Sequence, residues 1–232
     1  MRKKINTMGK IYSTSYFHYT RDLNTLIQIL QNGFIGSFCR EDFQYNKQLF
    51  SLHIPMVSFC DLPLSQITNI TYGDYAIGMS SVWGNKEKLT PICYFPKLAT
   101  NPLTKYISKT AYSFYNGNII ARNATIVAYA KPKNKYITNG YPSDNYKEKE
   151  CRKVLPNSIQ LEEPREKQCP SLRLKFTEKD ISFIIVANES DRMHLLSSLQ
   201  TWTTIGGNQL TNQWPWLLCT KILTKKDVCD NF

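Results

Sequence analysis

Hydrophobic and polar positions change period several times along the chain. Residues 11–20 are rich in aromatic and β-branched side chains, which predicts a strand. Leu23, Leu26, Ile27 and Leu30 follow at helical spacing and stop at Asn32-Gly33. A helix is therefore expected over 22–32, with Asp22 or Thr20 as its N-cap. Residues 36–53 mix charged, polar and aromatic side chains and read as a loop over or beside a site. Residues 57–60 form a short buried strand. Asp61 then caps a helical turn with Pro63 near its start and Leu64 and Ile67 on its apolar side. A turn at 72–75 leads into a strand at 76–80, and Ser80 or Ser81 opens a short helix through Lys88.

Further on, 91–95 reads as a strand and 103–117 as a helix, with Leu103, Tyr106, Ile107 and Phe114 on one side. The run 124–129 fits a strand or a buried helix equally well. Residues 145–155 alternate enough for a strand, and 156–170 are Pro- and Glu-rich, hence a loop. Residues 172–176 alternate as a half-buried strand, and 181–187 form the clearest buried strand of the chain. A helix is expected over 189–201, a polar Trp-bearing loop over 203–216 and a last short strand at 221–224. No repeat, heptad run or linker divides the chain. The expected architecture is one α+β domain over 11–232, preceded by a basic flexible tail at 1–10: a strand-dominated, split-sheet core with helices at its edges.

Apolar content of 42%, with 12% aromatic residues, supports a packed core and argues against disorder. The net charge of +11 suits a polyanionic partner such as nucleic acid, and equally a lysine-rich soluble surface. Seven scattered cysteines without a C-x-x-C pair fit reduced thiols in a cytoplasmic protein better than a disulfide framework or a zinc site. No apolar run approaches the ~18 residues that a membrane span requires.

The common nucleotide and hydrolase fingerprints are missing: no Walker loop, no G-x-G-x-x-G, no H-E-x-x-H and no G-x-S-x-G. With three histidines in total, a His-rich metal site is not expected. Two candidate sets remain. His18, with Tyr19 and Thr20, stands near the end of a strand just before a helix, where a ring is held rigidly against a ligand. Glu148 and Glu150, followed by Arg152, would share one face if 145–155 is a strand. Two carboxylates on one face serve a sugar well: one binds a hydroxyl, the other stabilises an oxocarbenium cation or accepts a proton. The same residues also fit a satisfied core histidine and a solvated, charged strand edge.

The order His18-x-Thr20, an aromatic at Tyr72 or Tyr75, then Glu148-x-Glu150 resembles that of the ADP-ribosyltransferase fold. The resemblance implies NAD as cofactor, His18, Tyr19 and Thr20 on its nicotinamide side, and Tyr72 or Tyr75 stacked on the ring. It also implies Glu150, the last glutamate, over the ribose at the scissile bond with Glu148 as a second catalytic candidate, and Arg152 holding a phosphate or the glutamate. A second resemblance covers more of the chain. It runs through Phe17-His18-Tyr19-Thr20, Leu26, Ile29, Leu30 and Gly33-Phe34, then the long segment Ile54-Pro55-Met56-Val57-Ser58-Phe59-Cys60-Asp61-Leu62-Pro63-Leu64-Ser65. It continues through 72–80, 146–152, Leu174-Lys175-Phe176, 180–186 and the tail 222–232. These residues resemble the bacterial AbiGi family, the antitoxin half of an abortive phage-resistance pair. The family carries an aromatic where this chain has Cys151. Three functions follow as expectations: an NAD-dependent ADP-ribosyl transfer to nucleic acid or protein, a non-catalytic antitoxin binding a cognate toxin or operator DNA, and single-stranded RNA binding by the Tyr- and Lys-rich stretch 131–153.

Overall fold

The longest strands arise where alternation survives a run of charges. In the computed structural model, which describes residues 13–69, 72–96, 100–118, 125–133, 145–210 and 215–231, with backbone alone at 67–69, the stretch 36–53 is no loop. It belongs to a hairpin of β2 (Phe34–Tyr45) and β3 (Gln48–Cys60), preceded by β1 (Ser15–Thr20) and α1 (Leu23–Asn32). Arg40-Glu41-Asp42 hides the period-2 pattern in the sequence. In space Arg40 and Asp42 face outward while Glu41 and Phe43 face in. Asn46 and Lys47 close the hairpin, both with positive φ (47° and 67°), as a two-residue turn matching the strand twist requires.

The remaining strands and helices follow in order. β4 (Tyr75–Ser80) leads into α2 (Ser81–Lys86), then β5 (Thr90–Pro91), β6 (Cys93–Phe95), α3 (Pro102–Tyr115), α4 (Thr125–Ala128) and β7 (Ala130–Pro132). Next come β8 (Glu150–Val154), β9 (Gln168–Leu174), β10 (Ile181–Val186), α5 (Glu189–Leu199), β11 (Thr204–Ile205), β12 (Asn208–Gln209), α6 (Trp216–Cys219), β13 (Ile222–Thr224) and α7 (Lys225–Asn231). The run at 125–129 is thus helical, the expected strand at 91–95 is two short strands, and the loop at 203–216 contains a small hairpin. The tail at 1–10, Ile11, Tyr136 and Tyr141 lie outside the described residues.

The main sheet runs β13-β10-β4-β1-β3-β2-β9, with β8 on β3 and β5 on β8. All its pairs are antiparallel except β10 with β13. β3 holds the sheet together. Its residues 48–56 pair with β2, residues 56–60 pair with β8, and at Cys60 it meets Phe17 of β1. That single register pair marks a split in the sheet beside β1.

Helices cover the sheet, and each closes for a local reason. The Asp22 carboxylate accepts from the Thr25 N–H and caps α1, whose far end stops at Gly33 with φ 82°. The N–H groups of Gly206 and Gly207 then donate to the carbonyls of Leu30 and Gln31, so the β11–β12 turn finishes the helix. The largest core packs Leu26 and Leu30 against Phe34, Phe59, Trp83 and Phe176. A second core lies between the outer part of the hairpin and α3 and α4. β10 is buried on both faces, Ile184 and Val186 in the largest core and Ile185 against Phe17 and Val228, so its sequence shows no alternation. The whole is one α+β domain.

Candidate functional site

A cleft of about 840 Å³ opens where β1, the hairpin and β8 diverge. It brings together His18, Tyr19, Tyr72, Glu148, Glu150 and Arg152, from three segments far apart in the chain. Thr20 and Tyr75 lie elsewhere. The Thr20 hydroxyl donates to the Asp22 carbonyl and ties β1 to α1, and the Tyr75 hydroxyl donates to Asp191 on α5. Of the two candidate aromatics, Tyr72 is the one in the cleft.

His18 is held from two sides. Its ring packs edge-on to Phe34 at 5.1 Å and against Phe59 at 5.6 Å. Nδ1 lies 2.8 Å from the Ser58 carbonyl, which only accepts, so Nδ1 carries the proton. Burial lowers the histidine pKa, against a smaller pull upward from that carbonyl. The ring is therefore neutral near pH 7, and Nε2 is left as an acceptor. The bond spans the place where β1 and β3 share one register pair.

The carboxylates do not meet by strand alternation. Residues Asn145–Glu148 form a 3₁₀ turn, and β8 begins only at Glu150. Lys149 between them adopts φ 42°, its carbonyl receiving the Asp61 N–H. This kink aims both carboxylates at Lys131, whose ammonium donates to Glu148 at 3.1 Å and to Glu150 at 2.9 Å.

Arg152 lies at the base of the cleft with 0% exposure. Its Nε donates to Glu150 Oε1 at 2.5 Å and Nη2 to Oε2 at 3.1 Å. Nη2 also donates to Glu41, and Nη1 donates to the Ala128 carbonyl at 3.0 Å. Four of its five N–H donors are taken by protein, so Arg152 holds the glutamate. The Ser58 hydroxyl adds a bond of 2.8 Å to Glu150 Oε1. Burial alone would raise the Glu150 pKa, but Arg152 and Lys131 outweigh it and hold the carboxyl at about 2. Glu41 goes the other way: burial raises its pKa beyond what Arg152 recovers. Burial would lower the pKa of Lys131, yet Glu150, Glu41 and Glu148 together raise it, so it stays charged.

Glu148 accepts from the Tyr72 hydroxyl as well as from Lys131. The Tyr72 ring is 42% exposed and stands 6.3 Å from Tyr19, so the two form an aromatic wall. Burial, and then Glu148, raise the Tyr72 pKa and keep it a donor. Cys39 and Cys60 also line the cleft, where burial pushes their thiols up to about 11 and about 12, too high for nucleophilic chemistry. Among the described residues no cluster of His, Cys, Asp and Glu is arranged to hold a metal.

Glu41, Ser58 and Lys131 belong to the site and were not singled out in the sequence. Glu41 is at an inward position of β2, two before the buried Phe43, a phase hidden by Arg40 and Asp42. Lys131 stands between the buried Ala130 and Pro132, a placement that marks a functional or paired lysine only once β7 is recognised.

Against known families, the model described as "Putative abortive phage resistance protein AbiGi, antitoxin" matches residues 32–187, more than half of the chain. No curated protein and no solved structure matches it.

Proposed function

The chain belongs to the AbiGi family of abortive phage resistance antitoxins, and on that premise we propose that its cleft binds NAD and transfers ADP-ribose to a nucleic-acid or protein acceptor. The observation that carries this reading is the convergence of His18, Tyr72, Glu148 and Glu150 in one cleft large enough for a nucleotide. His18 Nε2 accepts a hydrogen bond from the carboxamide or a ribose hydroxyl. Tyr72 and Tyr19 offer the nicotinamide ring an aromatic wall. The carboxylates put negative charge on the side of the cleft where the anomeric carbon would lie and where positive charge develops as the glycosidic bond breaks. With Arg152 committed to Glu150 and Glu41, the diphosphate falls to Arg21 at the mouth. Calorimetry with NAD, together with nicotinamide release from labelled NAD in the presence of nucleic acid, tests the proposal. Absence of both binding and release sinks it.

A second reading keeps the cleft as a scaffold. The family description favours an antitoxin that neutralises a cognate toxin by binding it, and the +11 charge favours contact with operator DNA. Co-expression with the cognate toxin would then yield a stable complex even from an E148Q/E150Q variant. A toxin that stays active and unbound beside the folded protein removes this reading.

A further inference from the structure

We infer that Glu148, working with Tyr72, is the carboxylate that handles the proton, and that Glu150 is a positioning residue that touches no substrate. The inference rests on the NAD reading above and reverses the role that the motif order assigns to the second glutamate. An ionised carboxylate has about four acceptor positions. At Glu150 they are taken: Oε1 by Ser58 and by Nε of Arg152, Oε2 by Lys131 and by Nη2 of Arg152. Three of the four are held by cations and the fourth by a hydroxyl, at a site with 6% exposure, so freeing one leaves a buried donor unpaired. Among the described residues Glu148 uses two positions, one for Lys131 and one for the Tyr72 hydroxyl, which leaves acceptor capacity there. Tyr72 is the half-open partner of the pair, so a ligand that leans on the tyrosine ring meets Glu148 first. Glu150 then acts through Lys131, which it holds in reach of Glu148.

The bond between the ribose anomeric carbon and the nicotinamide nitrogen breaks, and its electron pair leaves with nicotinamide, cancelling the pyridinium charge. An acceptor hydroxyl or amine, or water, bonds to the anomeric carbon. Its proton passes to Glu148, and the adjacent Lys131 and Tyr72 stay protonated throughout.

The test compares the wild-type full chain with E148Q, E150Q and Y72F, reading NAD affinity by calorimetry and nicotinamide release across pH. A wild type without binding or release ends the NAD reading itself, before any variant is made. If the wild type is active, E148Q should bind NAD within about 3-fold of wild type, release nicotinamide about 100-fold more slowly or worse, and lose the acid limb of the pH profile. Y72F should lower the rate about 10-fold with the limb retained. E150Q should melt earlier yet keep the limb. Retention of the rate and the limb in E148Q overturns the inference, as does an E150Q that melts like wild type but has lost the limb.

Discussion

Arg152 decides more about the site than any other side chain. It is a guanidinium with no access to solvent, stabilised by Glu150 on one side and Glu41 on the other. Removing one member of such a group leaves the others charged and unpaired, which costs about 3–5 kcal/mol. R152M should therefore lower stability by about that amount in urea titrations, far more than an exposed substitution such as R40M. Glu150 adds a pH dependence. Its carboxyl is held at about 2 in the fold against an ordinary 4.5. A depressed carboxylate contributes stability that is present above 4.5 and lost as pH falls towards 2, on the order of 3 kcal/mol for a shift of that size. Glu41, held above its ordinary range, gains a proton in the fold first and returns part of that loss. Acid unfolding of E150Q should accordingly be flatter between pH 4.5 and 2 than that of wild type. Equal slopes would show that Glu150 is not ionised against Arg152.

At the scale of elements, two backbone joints place the site. The β2–β3 turn holds Lys47 at φ 67°, a conformation that costs an L-residue roughly 1–2 kcal/mol and costs glycine nothing. K47G should raise the urea midpoint by the equivalent of about 1 kcal/mol, less the entropy that glycine adds to the unfolded chain. The second joint is Gly73, where a Cβ would stand 1.9 Å from the Thr20 carbonyl oxygen. That neighbour is backbone and has no room to swing away. G73A should push the turn off the end of β1, carry Tyr72 with it, and cost about 1–3 kcal/mol. Calorimetry should then show weaker NAD binding than in K47G, which changes a turn at the far end of the hairpin.

For the whole molecule, binding reads out as stability. A ligand that binds only the folded chain adds about 2.7 kcal/mol at a concentration 100 times its Kd. On the proposed reading, the melting temperature should rise with NAD and stay put with nicotinamide alone, which lacks the ribose and the diphosphate. No described helix is long and apolar enough to cross a membrane. A net charge of +11 makes any nucleic-acid contact steeply salt-dependent. Gel shifts that persist unchanged between 50 and 200 mM salt would mean that phosphate contacts do not drive the interaction.

Much of this was legible in the sequence because it rests on local rules. Helix α1, with Asp22 as one of its two candidate caps, the buried strand β10 and the α+β class follow from periodicity and capping alone. His18, Glu148 and Glu150, picked out as candidates by residue type and motif order, do line one cleft. The hairpin was not legible, because Arg40-Glu41-Asp42 looks like solvated loop until a buried Arg152 turns Glu41 inward. Nor was the way Glu148 meets Glu150, which depends on one left-handed residue, Lys149, and not on strand alternation. Sequence periodicity reports which face a side chain shares with its near neighbours. Arg152 stands two residues on in the same strand as Glu150, but Lys131 comes from β7, which pairs with β6, and Glu41 comes from β2; only the tertiary structure brings those partners within hydrogen-bonding distance.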